Sequence, residues 1–127
     1  ITCSLPMNDA NTELVVGHSS SGAEELQKRL PQANVVGAFT TVPSEVFFGV
    51  YAARRKQDRP SLVYYGDDGK SKQLAAGLIE DVGFEPVDAG SLRIARYAEP
   101  FVLLVAQLAY EGDGGPELAY RFLRFPG

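Results

Sequence analysis

Two neighbouring carboxylates, Asp67 and Asp68, are the first candidates for chemistry in the sequence. Paired carboxylates can bind a divalent metal ion or act as general bases. They also stand directly before a helical pattern, where an aspartate accepts hydrogen bonds from the free N–H groups of a helix N-terminus. We therefore favour a capping role for one of them and expect no metal site. Asp88, which precedes Ala89 and Gly90, is expected to stabilise a turn.

The only histidine, His18, precedes three serines at positions 19–21. A serine beside a histidine can act as the nucleophile of a hydrolase. The sequence contains no Gly-x-Ser-x-Gly pattern, which would hold such a serine on a strand-to-helix turn. We therefore expect His18 to lie in a solvated loop rather than in a catalytic site. Arg96 and Glu99 stand three residues apart on one helix face, and we expect an ion pair between them rather than a substrate contact.

The net charge of −4 argues against nucleic acid as a partner, because such partners need a clustered basic surface. The densest basic run, Arg54-Arg55-Lys56 followed by Arg59, is expected to be a solvated helix end, where cations are favoured. A patch for an anionic cofactor is the alternative. Cys3 is the only cysteine, which fits a reducing, cytoplasmic location, and we expect a small buried side chain there. No apolar run is long enough to span a membrane.

Strand-like and helix-like segments alternate along the chain. The expected helices are one opened by Ser21 with Glu24 as a capping box, one opened at Pro43, one over 70–82 ended by Gly83, and one over 91–110. The expected strands cover 1–3, 34–39, 61–65, 84–87 and 119–125. This alternation predicts one α/β domain with a largely parallel sheet. The helices that open at Pro43 and at position 70 are expected to turn these residues inward: Val46, Phe47, Val50, Tyr51, Leu74, Ala75, Leu78 and Ile79.

The 91–110 helix is apolar around much of its circumference between Phe101 and Ala109. A domain of 127 residues is too small to surround such a helix, so we expect it to pack against a second copy in a homodimer. The chain also begins at Ile1, inside a strand-like run. We therefore expect a further N-terminal part of the protein to precede it.

Four motifs stand in order along the chain: Pro-x-Ala-x-Val-Val-x-Ala-Phe-x-Thr-Val at 31–42, Gly-Asp-Asp at 66–68, Gly-Phe-x-Pro-Val-Asp-Ala-Gly-x-Leu at 83–92 and Ala-Arg-Tyr-x-Glu-Pro at 95–100. Together they resemble the deazaflavin-dependent NADP oxidoreductase family, which includes bacterial dinucleotide-binding proteins and the cytosolic domains of metalloreductases. Their order and spacing cover almost the whole chain. None is diagnostic alone, but the set is specific.

The resemblance implies the last part of a Rossmann-like parallel sheet followed by a small helical C-terminal region. In this family an N-terminal half carries the Gly-x-Gly-x-x-Gly loop that binds the dinucleotide phosphates, and the sequence contains no such loop. The cofactors implied for the parent protein are NADP and a deazaflavin or flavin, with none bound tightly by these residues alone. The implied cofactor-binding residues lie at strand ends: Pro6, Phe39, Thr40, Thr41 and Val42.

Two positions depart from the family pattern. The family has Asn-Pro where this chain has Leu5-Pro6, and Phe-Asn-Thr where it has Phe39-Thr40-Thr41. A leucine offers no hydrogen bond and a threonine offers one hydroxyl, so two amides that could orient a ring are replaced. Two functions are therefore weighed: part of an oxidoreductase that transfers hydride between NADP(H) and a deazaflavin or flavin-type acceptor, or a non-catalytic binding or dimerisation module.

Overall fold

The structure, a computed structural model, describes residues 1–10, 13–15 and 19–126. His18 lies outside these residues. The elements of the described chain are α1 (Gly22–Arg29), β1 (Val36–Ala38), α2 (Phe47–Ala52), β2 (Ser61–Gly66), α3 (Gly69–Val82), β3 (Glu85–Asp88) and α4 (Ala95–Ala106). Short 3-10 turns at Ser44–Val46 and Leu92–Ile94 lead into α2 and α4, and a π-helical turn at Gln107–Glu111 extends α4. None of the helices described is long and apolar enough to cross a membrane.

The sheet has the strand order β1-β2-β3 and is mixed. β2 and β3 are parallel, and Thr2 forms an isolated parallel bridge with Gly37, which confirms part of the expected pairing. β1 runs antiparallel to β2, so the prediction of a largely parallel sheet needs correction. Alternation of strands and helices does not fix strand direction, which depends on long-range pairing. The α/β class itself is confirmed.

Gly37 is required where β1 and β2 pair. It lies opposite Tyr65 in the register, and a Cβ atom at Gly37 would overlap the Tyr65 ring. Tyr65 therefore lies across β1 and is almost fully buried. Any larger residue at position 37 would displace this ring.

The segment 119–125 is not a strand, contrary to the sequence prediction. Its contacts with β2 centre on one residue: Ser61 N–H donates to Tyr120 O at 2.8 Å, and Phe122 N–H donates to the Ser61 hydroxyl at 2.9 Å. Because a side chain accepts the second hydrogen bond, no backbone ladder develops.

Two apolar clusters pack with the sheet. One contains Ala38, Val42, Val46, Val50, Leu62, Ile79 and Phe84. The other contains Ala23, Val35, Tyr65, Leu92, Ala95 and Ala98. α2 and α3 contribute to the first cluster, whereas α1 and α4 contribute to the second. The loop that follows β1 adds Val42 and Val46 to the first cluster, which anchors it to the core.

Several side chains that the sequence analysis predicted to be buried are exposed. Ala75 and Ile79 are buried as predicted, but Leu74 is 72% exposed and Leu78 is also exposed. α3 buries only a narrow stripe, so helical spacing overstated its apolar face. Tyr51 on α2 and Cys3 are exposed too, which corrects both expectations.

Three of the predicted helix ends are confirmed. The Ser21 hydroxyl accepts from Glu24 N–H at 3.1 Å, and Asp68 accepts from Ser71 N–H at 2.9 Å. Gly83 ends α3 with a φ of 119°, in the left-handed region that glycine adopts most easily. Asp88 accepts from Gly90 N–H at 2.9 Å, which is the predicted turn chemistry.

Arginine side chains of the basic run after α2 donate hydrogen bonds to backbone carbonyl groups at helix ends. Arg54 Nη1 donates to Tyr51 O at 2.9 Å. Arg59 Nε donates to Arg54 O at 2.9 Å, and its Nη1 reaches Glu80 O at 3.2 Å. Arg54 and Arg59 therefore bind carbonyl groups near the ends of α2 and α3, as expected for cations at helix C-termini.

The predicted ion pair between Arg96 and Glu99 is wrong. Arg96 Nε donates instead to Glu24 Oε2 at 2.9 Å, which joins α4 to α1. Glu99 is buried and accepts from the backbone N–H groups of Gly22 at 2.8 Å and Ala23 at 3.1 Å. Burial raises the pKa of Glu99, although these two hydrogen bonds partly offset the effect. Arg96 and Glu99 each bind residues of α1, so their spacing within α4 could not reveal their partners.

The Glu24 contact makes stability depend on pH. Burial alone would raise the pKa of this carboxyl, but hydrogen bonds from Arg96 and Ser21 and the nearby positive charges hold it below its ordinary value. A lowered pKa in the folded state stabilises the fold above the unfolded pKa, and this contribution is lost as the pH falls through the folded value. We expect Glu24→Gln to destabilise the protein near neutral pH, with the difference from wild type shrinking below the ordinary glutamate pKa of 4.5.

Denaturant unfolding at a series of pH values measures this difference. Glu25→Gln is the matched control on the same helix. Glu25 binds the Ser20 hydroxyl and Lys28, but its side chain is more exposed than that of Glu24, so its loss should matter less. A Glu24→Gln deficit that stays constant down to acid pH would contradict the assignment.

Candidate functional site

The loop after β1 places its side chains in different surroundings. Phe39 has a φ of 68°, the left-handed conformation that a phenylalanine rarely adopts. The chain therefore turns sharply at the end of the strand. The residues named by the resemblance, Phe39 to Val42, are consecutive but do not face one common cleft.

Phe39 lines a groove that we call the aromatic trough, with a volume of 590 Å³. Its ring meets the Phe47 ring edge to face, with centroids 6.1 Å apart. The residues that line the trough are Phe39, Ser44, Phe47, Phe48, Tyr51 and Val82.

Thr40 and Val42 line a smaller cavity of 160 Å³ between the loop and α4, which we call the α4 pocket. Its other walls include Val102, Val105 and Ala106 of α4. Tyr110, in the π-helical turn, also lines it, and the Tyr110 hydroxyl donates to Glu45 at 2.9 Å. π-Helical turns occur frequently at functional sites. The α4 pocket is thus small and mainly apolar.

The Thr40 hydroxyl is buried and forms no hydrogen bond of ordinary geometry. It lies near the Tyr65 hydroxyl, whose pKa is raised by burial and lowered in part by Thr40. A buried polar group without a partner is uncommon and costs stability. The hydroxyl therefore faces the interior, and Thr40 offers the α4 pocket mainly its apolar surface.

Thr41 is buried, and its hydroxyl is 2.6 Å from the Tyr120 hydroxyl. Val63 N–H also donates to the Tyr120 oxygen, at 3.2 Å. Burial raises the pKa of Tyr120, although the contacts with Thr41 and Val63 lower it in part. The Tyr120 side chain therefore joins the end of β1 to β2, and the Thr41 hydroxyl has a structural partner.

Pro6 lies beside the N-terminus of α1 and not in either cavity. A Cβ atom at Gly22 would be only 2.8 Å from Pro6 Cδ and 3.3 Å from Glu99 Oε2. Because the bridge between Thr2 and Gly37 is parallel, the two segments that it joins run toward the same edge of the sheet. Pro6 and Thr40 therefore follow neighbouring strands in the same direction, as predicted, but Pro6 contacts a helix there.

The chemistry available at the end of β1 is binding rather than acid–base catalysis. The α4 pocket offers aliphatic walls and a tyrosine, which suit the edge of a flat ring. Among the residues described, no three histidine, cysteine or acidic side chains come together to hold a metal ion. Asp67 accepts from Leu92 N–H at 3.0 Å, so it has a structural partner like Asp68.

Comparison with known proteins adds to this geometry. No protein-family model matches the chain. It is 33% identical over 86 residues to the metalloreductase STEAP3 of Rattus norvegicus, which covers 68% of the chain. It superposes on a provisionally assigned F420-dependent NADP reductase of Arthrobacter sp. FB24 with a TM-score of 0.82, 22% identity and 96% of the chain covered. The resemblance predicted from the motifs is confirmed.

The chain matches the C-terminal portion of the Arthrobacter reductase, which confirms the predicted fold class. A hypothetical protein of Sinorhizobium meliloti is also similar, with a TM-score of 0.60, 25% identity and 95% of the chain covered. The chain spans 55% and 53% of these two solved proteins and 17% of the metalloreductase. It thus corresponds to a part of each.

Sequence reasoning missed the residues that surround Phe39 and Thr40. Phe48 was overlooked because it falls outside the buried stripe of α2, and it is 89% exposed. A large aromatic residue outside the predicted buried stripe of a helix was the one available signal. The α4 walls of the pocket gave no signal, because their contact with the loop is long-range.

Removing the Tyr120 hydroxyl should test the contact that holds the loop. We expect Tyr120→Phe to destabilise the fold by about 1–3 kcal/mol, because it leaves the buried Thr41 hydroxyl and the Val63 N–H without a partner. Denaturant unfolding gives the value. Tyr110→Phe is the matched control, since it removes an exposed hydrogen bond to Glu45 and should cost less than about 0.5 kcal/mol. Equal losses in the two variants would refute the proposed role of Tyr120.

Proposed function

We propose that the chain is part of an oxidoreductase that transfers hydride between NADP(H) and a deazaflavin or flavin-type acceptor. The observation that supports this most strongly is the α4 pocket beside Thr40 and Val42, at the strand end that the family resemblance marks for cofactor binding. The similar proteins are a metalloreductase and a provisionally assigned F420-dependent NADP reductase. The single cysteine suits a cytoplasmic protein.

In this proposal a planar redox ring lies over the end of β1. Hydride transfer requires two rings held face to face in a cleft from which water is excluded, so the protein acts mainly by orientation. Val42, Val102 and Val105 supply apolar walls for one ring edge. At 160 Å³ the pocket is too small for a whole dinucleotide and suits only part of a ring.

The phosphates of NADP would be held by an N-terminal half outside this chain, and the chain alone would be inactive. α3 presents an apolar surface that such a half could cover. Leu74 and Leu78 are exposed and line a depression of 570 Å³ that also includes Ile1 and Val36, beside the Thr2 bridge. We propose this surface as the contact with the N-terminal half.

A non-catalytic module is the second candidate. It is favoured by the inward orientation of the Thr40 hydroxyl and by the absence of both family amides at Leu5 and Thr40. Under this hypothesis the fold and a homodimer interface are retained, but the site no longer supports hydride transfer.

Calorimetric titration with NADPH separates these possibilities. We expect no micromolar binding to the 127 residues alone, because they lack a phosphate-binding loop, and micromolar binding once the N-terminal half is present. Micromolar binding by the 127 residues would show that the site is misplaced. No binding by the longer protein would favour the non-catalytic module.

We also propose a homodimer through α4 and its π-helical extension. Tyr97, Leu104 and Leu108 are exposed, with Leu104 at 59% and Leu108 at 56%. Their spacing, with the partly buried Phe101 between them, forms one apolar stripe along the helix. Such a stripe can pack against its own copy in a symmetric interface.

Light scattering on the wild type and on a Leu104→Ser, Leu108→Ser double variant tests the interface. We expect a dimer at micromolar concentration for the wild type and a monomer for the variant. Leu74→Ser with Leu78→Ser removes a similar exposed pair from α3 and should leave the dimer intact. A monomeric wild type, or a variant that still dimerises, would contradict the proposal.

A further inference from the structure

The aromatic trough is a second cavity that the proposed redox site does not use. Ser44 is the one residue that lines both the trough and the α4 pocket, so the two cavities flank the loop after β1. The trough volume of 590 Å³ lies in the range of small-molecule sites. Its walls are almost entirely aromatic and apolar.

The Phe39 and Phe47 rings of the trough are held in place by contacts that extend into the core. Phe47 packs edge to face against Phe39 at 6.1 Å and against Phe84 at 5.9 Å. Phe84 is fully buried, so this series of rings is anchored in the core. Phe48, by contrast, is 89% exposed and belongs to the same wall. A rigid apolar wall loses little entropy when it binds a flat ring.

A positive charge lies beside the trough, next to one of its lining residues. The Arg54 guanidinium lies over the Tyr51 ring, with its central carbon 4.0 Å from the ring centroid. Arg54 Nη1 donates to Tyr51 O at 2.9 Å, which fixes the cation beside the trough. Arg55 and Lys56 follow and are exposed.

We propose that the aromatic trough binds a small planar aromatic molecule that carries an anionic group. The ring would lie against Phe39, Phe47 and Phe48, and the anion would face Arg54. Charge favours this ligand over a second copy of the chain. Outside the trough, the most exposed large apolar side chain of the described residues is Phe125, whose segment carries Arg121 and Arg124 and would bring positive charge to Arg54. The proposal does not depend on the redox function.

Two fluorescent probes that differ in one group test it directly on the 127-residue chain. Anilinonaphthalene sulfonate has fused rings and an anion, whereas phenylnaphthylamine has the same rings without the anion. We expect both to bind, the sulfonate more tightly. Amide shifts in two-dimensional NMR spectra should change around Phe39, Phe48 and Val82. Shifts confined to α4, or to the part of α3 around Leu74 and Leu78, would overturn the proposal.

Four variants separate the contributions of the aromatic wall and of Arg54 to probe binding. Phe48→Ser should weaken both probes about tenfold, because it removes an exposed ring from the wall. Phe125→Ser, which removes another phenylalanine of similar exposure, is the matched control and should change neither. Arg54→Gln should weaken only the sulfonate, by about threefold or more, and Arg54→Lys should retain most of its binding.

Thermal unfolding of each variant ensures that probe binding reports the folded state. Since Phe48 is exposed, Phe48→Ser should unfold as the wild type does. Equal effects of Phe48→Ser and Phe125→Ser would overturn the trough as the site. Equal affinity for the two probes would overturn the anionic part of the proposal. A change from dimer to monomer in Phe48→Ser would show that a second copy occupies the trough instead.

Discussion

The hydroxyl of Tyr120 is the contact on which the candidate site depends. It bonds the Thr41 hydroxyl at 2.6 Å and receives the Val63 N–H at 3.2 Å. Once Thr41 is held inward, its neighbours Thr40 and Val42 lie along the α4 pocket. The Tyr120 ring also meets Phe101 of α4 edge to face at 5.2 Å. One side chain thus joins the loop and α4, which shape the cavity, to β2.

A second set of contacts fixes the opposite side of the sheet. The buried Glu99 caps α1 through two N–H groups, and Arg96 binds Glu24 on the same helix. Gly37 leaves room for the Tyr65 ring to lie across β1, which brings its hydroxyl near Thr40. The hydroxyl of Thr40, which stands where the family pattern has an asparagine, therefore faces Tyr65. Whatever binds in the α4 pocket meets a more apolar surface than an amide would offer.

Local features were predictable from the sequence and long-range ones were not. Asp68, Gly83 and the Asp88 turn were correct because each depends on a few adjacent residues. The partner of Arg96 and the direction of β1 depend on contacts across the chain, and both predictions needed correction. The position of the candidate site came mainly from the resemblance, and patterning added only that these residues follow predicted strands. The division of its side chains between two cavities follows from the positive φ of Phe39, which no propensity of phenylalanine indicates.

The most direct test of the redox proposal is to locate the nicotinamide ring by NMR. The longer protein, with its N-terminal half present and its methyl groups labelled, would be saturated with NADPH. Intermolecular nuclear Overhauser effects would then be measured from the nicotinamide protons. The proposal predicts effects to the methyl groups of Thr40, Val42 and Val102, which line the α4 pocket. Effects confined to other methyl groups, with none at these three residues, would contradict it.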